Sequence, residues 1–260
     1  MPALVPRAAG GDKRAMFRTL LEPLRWAADY ALPPRCPGCG LPVGADHLFC
    51  AACWGGLRFL GPPWCAACHL PFEHDRGAEA VCAVCARSAP RHAGVRAAVA
   101  YGPVAGRLAV RLKHGGQIAL AGTMARAMAR LMPDTAELLV PVPLHRGRLW
   151  RRGFNQSVLV GAALSRLTGL PQEVSALERR RATPLLRGLG RRARARTVAG
   201  AFLVPARRRE QVRGRSVVLI DDVYTTGATA AACTRALRAA GARSVTILCW
   251  ARVLPDGDAD

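Results

Sequence analysis

Residues 217–229 read VVLIDDVYTTGAT, and how that stretch is read decides the fold. Four apolar residues run into Asp221 and Asp222, and beyond Val223 and Tyr224 stand Thr225, Thr226, Gly227, Ala228 and Thr229. A short apolar run bounded by turn residues fits a buried strand. In an α/β sheet, ligands bind outside the carboxyl ends of such strands. The threonine-glycine segment then opens a helix, whose first N–H groups and positive dipole end suit a phosphate. Two neighbouring carboxylates repel each other unless hydroxyl donors or a nearby Mg²⁺ satisfy both. Phosphate and carboxylates side by side describe a ligand with a phosphate at one end and a diol near it, such as a ribose 5-phosphate. The plainer alternative is a strand-ending turn capped by Thr and Asp, which any α/β protein can carry.

The surrounding pattern supports the strand. From about Gly94 onward, β-like runs alternate with Ala/Leu-rich helical runs, the signature of an α/β domain with a mostly parallel sheet and flanking helices. Strands are predicted at GVRAAVAYG (94–102), ELLVPVP (137–143), SVVLIDD (216–222) and SVTILCWARV (244–253). Helices are predicted at 106–114, stopped by Gly115 and Gly116, then at 120–132, 155–167 and 228–240, the last closed by Gly241.

Composition bounds the function. An apolar fraction of 51% over 260 residues supports a packed core. No window reaches the roughly 18 uninterrupted apolar residues of a membrane helix. The segment MFRTLLEPLRWAADYAL (16–32) is broken by Glu22, Arg25 and Asp29, so it reads as an amphipathic helix rather than a signal peptide, and the protein as cytoplasmic. The formal charge of +21 rests on 36 arginines and only two lysines, Lys13 and Lys113. The arginine codons of a GC-rich genome are one source of that excess, and a polyanionic partner is the other reading. Thirteen arginines lie between Arg179 and Arg215, either as a solvated loop or as a means of phosphate capture.

Eight of the ten cysteines form four C-x-x-C pairs, Cys36/Cys39, Cys50/Cys53, Cys65/Cys68 and Cys82/Cys85, separated by 10, 11 and 13 residues. Each such turn aims two sulfurs at one point, and two turns supply the tetrahedral four-sulfur shell of structural Zn²⁺. Two zinc ions follow. Sequential sites are expected, Cys36, Cys39, Cys50 and Cys53 on one ion and Cys65, Cys68, Cys82 and Cys85 on the other, with an interleaved cross-brace as the alternative. A disulfide framework fits poorly without a secretory signal. His47, His69 and His74 are surplus to both shells and read as surface residues. Trp54, Phe59 and Trp64 read as packing between two ribbons. Cys233 and Cys249 read as ordinary buried packing.

VVLIDDVYTTGAT resembles the phosphoribosyl-pyrophosphate (PRPP) loop of type I phosphoribosyltransferases. PVPLHRGRLWRRGFNQS (141–157), LKHGG (112–116) and the arginine-rich run ending at Phe202 are similar, in order, to the competence protein F (ComF) family. The resemblance spans about residues 30–253. Composition sets off a tail and amphipathic helix at 1–32, and the resemblance implies a double zinc ribbon at 33–90 and a type I phosphoribosyltransferase-like domain at 93–255. It further implies that Asp221 and Asp222, the catalytic positions, contact the ribose hydroxyls, while Thr225, Thr226, Gly227, Ala228 and Thr229 cradle the 5-phosphate of PRPP bound with Mg²⁺. Around pyrophosphate the candidates are Arg146, Arg148, Arg152, Asn155, Gln156 and Lys113. Here arginine's rigid forked donors suit an anion, and the P-V-P turn is expected to add backbone N–H groups.

Three positions depart from the family pattern: Leu185 stands where Gln is usual, Thr197 where Asn is usual and His114 where Tyr is usual. The function implied is action on incoming single-stranded DNA in natural transformation, with the competence and DNA-uptake machinery as partner. A phosphoribosyltransferase of nucleotide salvage and a non-catalytic nucleotide-sensing regulator are the alternatives. The motif does not decide turnover.

Overall fold

The computed structural model describes residues 33–182 and 191–255. The expected N-terminal helix and Leu185 lie outside these. The chain divides after Cys50 into two compact units. In the first, Cys36–Gly40 forms a knuckle, closed by Gly40 N–H donating to Cys36 O at 2.8 Å and Cys36 N–H to Leu41 O at 2.7 Å.

The second unit begins with helix α1 (Ala51–Gly55) and a second knuckle at Cys65–His69, followed by α2 (Ala83–Arg87). Then come β1 (Val95–Ala100), α3 (Pro103–His114), α4 (Leu120–Ala129), β2 (Leu138–Pro141), α5 (Arg146–Arg152) and α6 (Gln156–Thr168). The chain continues through β3 (Glu178–Arg179), α7 (Arg191–Val198), β4 (Phe202–Leu203), α8 (Arg209–Val212), β5 (Ser216–Tyr224), α9 (Ala228–Ala239) and β6 (Ser244–Arg252).

The main sheet has the order β1-β6-β5-β2, and every pairing in it is parallel. Its two inner strands carry near-continuous apolar runs because both of their faces are covered. Val217 and Leu219 join a core with Cys233 and Leu237 of α9 and with Phe202. On alternate positions Val218 and Ile220 are equally buried, and α6 packs on β5 and β2 with α4 beside it. Buried Trp250 of β6 donates its indole N–H to Ala105 O at 3.0 Å, tying α3 to the sheet.

All four predicted strands and the four predicted helices are present. The small antiparallel pair β3-β4 was not anticipated, since two residues per strand are too few to show a period. Nor was α5 anticipated as a helix of its own.

The second cysteine-rich segment extends the sheet edge. Phe59 bridges Val99 of β1 in antiparallel fashion, with Leu60 N–H donating to Ala98 O and Ala100 N–H to Arg58 O. Phe59 packs on Trp54 at a ring separation of 4.7 Å and lies under the Arg130 guanidinium. These aromatics therefore serve the junction with β1. His69 also departs from expectation. It stacks on Trp64 and fills the space that a side chain at Gly94 would need, a Cβ there falling 2.2 Å from its ring. Burial, with Arg96 and Arg252 nearby, lowers its pKa to about 4. His74 is exposed.

Candidate functional site

β5 runs two residues past the aspartates, Tyr224 pairing with Arg252 of β6. The acidic pair thus sits within a hydrogen-bonded strand, where successive side chains point to opposite faces. Asp222 takes the α3 side. It is 3% exposed and meets Lys113 Nζ, in the last turn of α3, at 2.5 Å. Lys113 is therefore brought directly to the acidic pair. Asp221 lies on the α9 side, within the electrostatic reach of Arg179 and Cys233. Burial, reinforced by the charge of Asp222 and opposed by Lys113, raises the Asp221 carboxyl from 3.8 to about 7.

Beyond the pair, a hollow of about 40 Å³ is lined by Val223–Thr229. Gly227, at φ +75°, is the N-cap of α9 and turns the chain into the helix. A Cβ at Gly227 would stand 2.2 Å from the Tyr224 hydroxyl. Only glycine satisfies both the left-handed backbone and the close approach.

The second motif is partly structural. Within Pro141–Pro143 the sole N–H, that of Val142, donates to Ile220 O at 2.9 Å, so the turn offers no backbone donor to an anion. Asn155 caps α6 by accepting from Ser157 N–H and donates to Val142 O at 3.0 Å. Buried Gln156 accepts from Arg152 at 2.7 Å and so orients that guanidinium. Burial lowers the Arg152 and Arg179 pKa values, while Asp222 beside the first and Asp221 beside the second act the other way. Arg146 is exposed, and Arg148 lies electrostatically close to both Arg152 and Arg179. Trp150 of α5, 87% exposed among these arginines, was not singled out from the sequence.

The cysteines assemble sequentially. The sulfurs of Cys36, Cys39, Cys50 and Cys53 lie within 4.8 Å of one another, as do those of Cys65, Cys68, Cys82 and Cys85. Sulfurs at the corners of a tetrahedron around zinc are about 3.8 Å apart, from a Zn–S bond of about 2.3 Å. Cys39 and Cys50 stand 3.6 Å apart and Cys68 and Cys82 3.8 Å. The N–H of Cys50 donates to Cys36 Sγ and that of Cys82 to Cys65 Sγ, both at 3.3 Å. Burial alone would raise both thiols, but these and neighbouring N–H donors lower Cys36 to about 6 and Cys65 to about 7. Both tetrads fit structural zinc with no open position for catalysis. Cys233 and Cys249 are fully buried in the sheet core, as expected.

A double zinc ribbon domain family matches residues 27–87. Competence protein F of Haemophilus influenzae is 32% identical over 150 residues, 55% of this chain and 65% of the relative. The DNA utilization protein YhgH of Escherichia coli strain K12 is 32% identical over 235 residues, 86% of this chain and 99% of the relative. The chain belongs to the ComF family. Among solved structures, a glutamine PRPP amidotransferase from B. subtilis complexed with ADP and GMP matches with 22% identity and a TM-score of 0.35, over 49% of this chain and 25% of that one.

In this ComF-family chain the altered position Thr197 is used internally, its hydroxyl donating to Ala193 O at 2.9 Å. Arg252, the last residue of β6, is a residue that sequence reasoning missed. It is 6% exposed and donates to the carbonyls of Cys68, His69 and Val95 at 3.0, 2.9 and 3.3 Å. Its other nitrogen stands 3.8 Å from Cys68 Sγ, and its guanidinium covers the Tyr224 ring at 5.4 Å. One buried cation thus joins the second cysteine knuckle to the residue that leads into the threonine loop. The only sequence signal is an arginine inside an otherwise apolar strand.

Proposed function

We propose that this chain binds PRPP or a related ribose phosphate on residues 221–229 and acts in the uptake or processing of single-stranded DNA during natural transformation. The observation that carries the reading is the small hollow over Val223–Thr229 set directly beyond half-buried Asp221 and buried Asp222. Phosphate-sized, and at the mouth of a helix, it has the carboxylates proposed for the sugar immediately upstream. Asp221 and Asp222 take the ribose hydroxyls, and Thr225, Thr226, Gly227, Ala228 and Thr229 hold the 5-phosphate. Mg²⁺, when bound with PRPP, neutralises pyrophosphate charge. The hard oxygens of the acidic pair suit such a complex. Arg152, oriented by Gln156, lies beside Asp222 and with Arg148 and Lys113 serves the anionic end, while Asn155 ties the turn after α5 to Val142. Arg146, exposed at the start of α5, adds charge at the rim. Residues 33–90 are assigned to the double ribbon and residues 93–255 to the phosphoribosyltransferase-like domain. The names of the H. influenzae and E. coli relatives support the DNA role, and among the described residues no helix is long and apolar enough to cross a membrane.

Calorimetry with PRPP and Mg²⁺ tests the site. Wild type is expected to bind, and Asp221→Ala with Asp222→Ala to bind not at all while keeping its fold. Unchanged affinity in the double variant would falsify the assignment. Complementation of a deletion strain by each form tests the role in transformation, and full transformability without the gene would move the reading to nucleotide salvage or sensing.

A further inference from the structure

A second cavity, about 750 Å³, opens beside the threonine loop. Its one wall is the loop itself, Tyr224–Ala228, which also lines the small hollow, continued by Ala231, Thr234 and Arg235 of α9. The opposite wall is the second cysteine knuckle with Leu70, Val84 and Pro90, and Val253–Pro255 complete it. Its size falls in the range of about 300–1,000 Å³ used by small-molecule sites. A free ribose phosphate, ending at its phosphate, has no use for this space.

The lining is chemically one-sided. It includes Arg91, Arg235 and Arg252 and, among the described residues, no Asp or Glu. Between the cations lies an apolar floor of Leu70, Ala89, Pro90 and Leu254. Thr234 adds an independent sign of a ligand. It is fully buried, lines the cavity, and among the described residues its hydroxyl has no hydrogen-bond partner. A buried hydroxyl without a partner is costly, and a ligand acceptor would relieve that cost.

We propose that this groove holds the nucleotide attached through the 5′-phosphate, so that the site takes the 3′ end of a single DNA strand. The inference rests on the phosphate reading of residues 225–229. The polarity follows from the order of the two subsites. With its 5′-phosphate on the loop as a diester, a nucleotide sends the strand into the groove on one side. On the other, its sugar meets Asp221 and Asp222, which need a free hydroxyl to donate to them. Only the terminal nucleotide of a strand has an unesterified 3′-hydroxyl. The cations supply the electrostatics of the preceding phosphate, and the apolar floor receives a base without regard to sequence.

The test uses the full-length, zinc-loaded chain and two octathymidylates labelled at the 5′ end, one with a free 3′-hydroxyl and one with a 3′-phosphate. Ribose 5-phosphate, measured by calorimetry, is the control for the cradle. The free end is expected to bind about tenfold more tightly than the blocked one. Val84→Glu with Arg235→Glu, both at exposed positions, should abolish that preference while leaving ribose 5-phosphate binding and zinc content unchanged. Equal affinity for the two ends, or a preference untouched by the groove variants while ribose 5-phosphate still binds, overturns the inference alone. Absence of ribose 5-phosphate binding in wild type overturns the cradle, and this inference with it.

Discussion

Asp221 and Asp222 are neighbours in sequence, yet strand geometry gives them different surroundings and different chemistry. Asp222 is neutralised by Lys113, whereas Asp221 is held near 7 by burial and by the charge next door. A carboxyl whose pKa is raised on folding contributes stability below its unfolded value that is lost as pH rises through the folded value. Between about pH 4 and 7 the ligand-free protein should therefore lose stability through this group. Asp221→Asn is expected to flatten that slope and raise Tm at pH 8, read by thermal denaturation across pH. PRPP, whose sugar hydroxyls are best accepted by the ionised carboxylate, should bind more weakly as pH falls below 7. Lys113→Met leaves a carboxylate 4% exposed without its cation. A loss of roughly 3 kcal/mol is expected, as for other broken buried pairs. Asp222→Asn in the same chain should recover most of it. Gly227→Ala forces a left-handed alanine, worth about 1–2 kcal/mol, against the Tyr224 hydroxyl, and should abolish binding of the phosphate.

At the scale of elements, the sheet was legible because both faces of β5 and β6 are covered and the apolar runs are nearly unbroken. The end of β5 was less so. Val223 and Tyr224 look like a loop in sequence, but Ala251 and Arg252 across the ladder hold them as strand. The spacing of the acidic pair and the threonines is what points to the proposed ribose phosphate. The electrostatics around them did not, since Lys113, Arg179 and Arg252 arrive from elements separated by dozens of residues. The P-V-P turn shows the reverse error, a motif read as an anion site whose N–H is spent on Ile220. Asn155, expected at the ligand, is first a cap. Asn155→Ala should lower stability by about 1 kcal/mol through the lost cap, and more if the tie to Val142 O also counts, as urea denaturation would show. An isosteric Asn155→Asp keeps the cap but not the donor, and separates the two contributions.

For the whole molecule, metal analysis of the purified chain should return about two zinc ions, and Cys65→Ser should forfeit one of them. The further result concerns Arg252. Its contacts with the Cys68 and His69 carbonyls persist only while the second knuckle keeps its shape, and its guanidinium is what Tyr224 leans on. Treatment with a chelator strong enough to empty that knuckle should therefore weaken PRPP binding, whereas Arg252→Met should already show the weakened value and respond no further. Cys65, with a thiol lowered to about 7, is about half thiolate at neutral pH and open to oxidation when no metal covers it. Peroxide in the presence of a chelator should lower ligand affinity, and a reductant with added zinc should restore it. The thiol balance of the surroundings is in this way written into the grip of a loop that contains no cysteine.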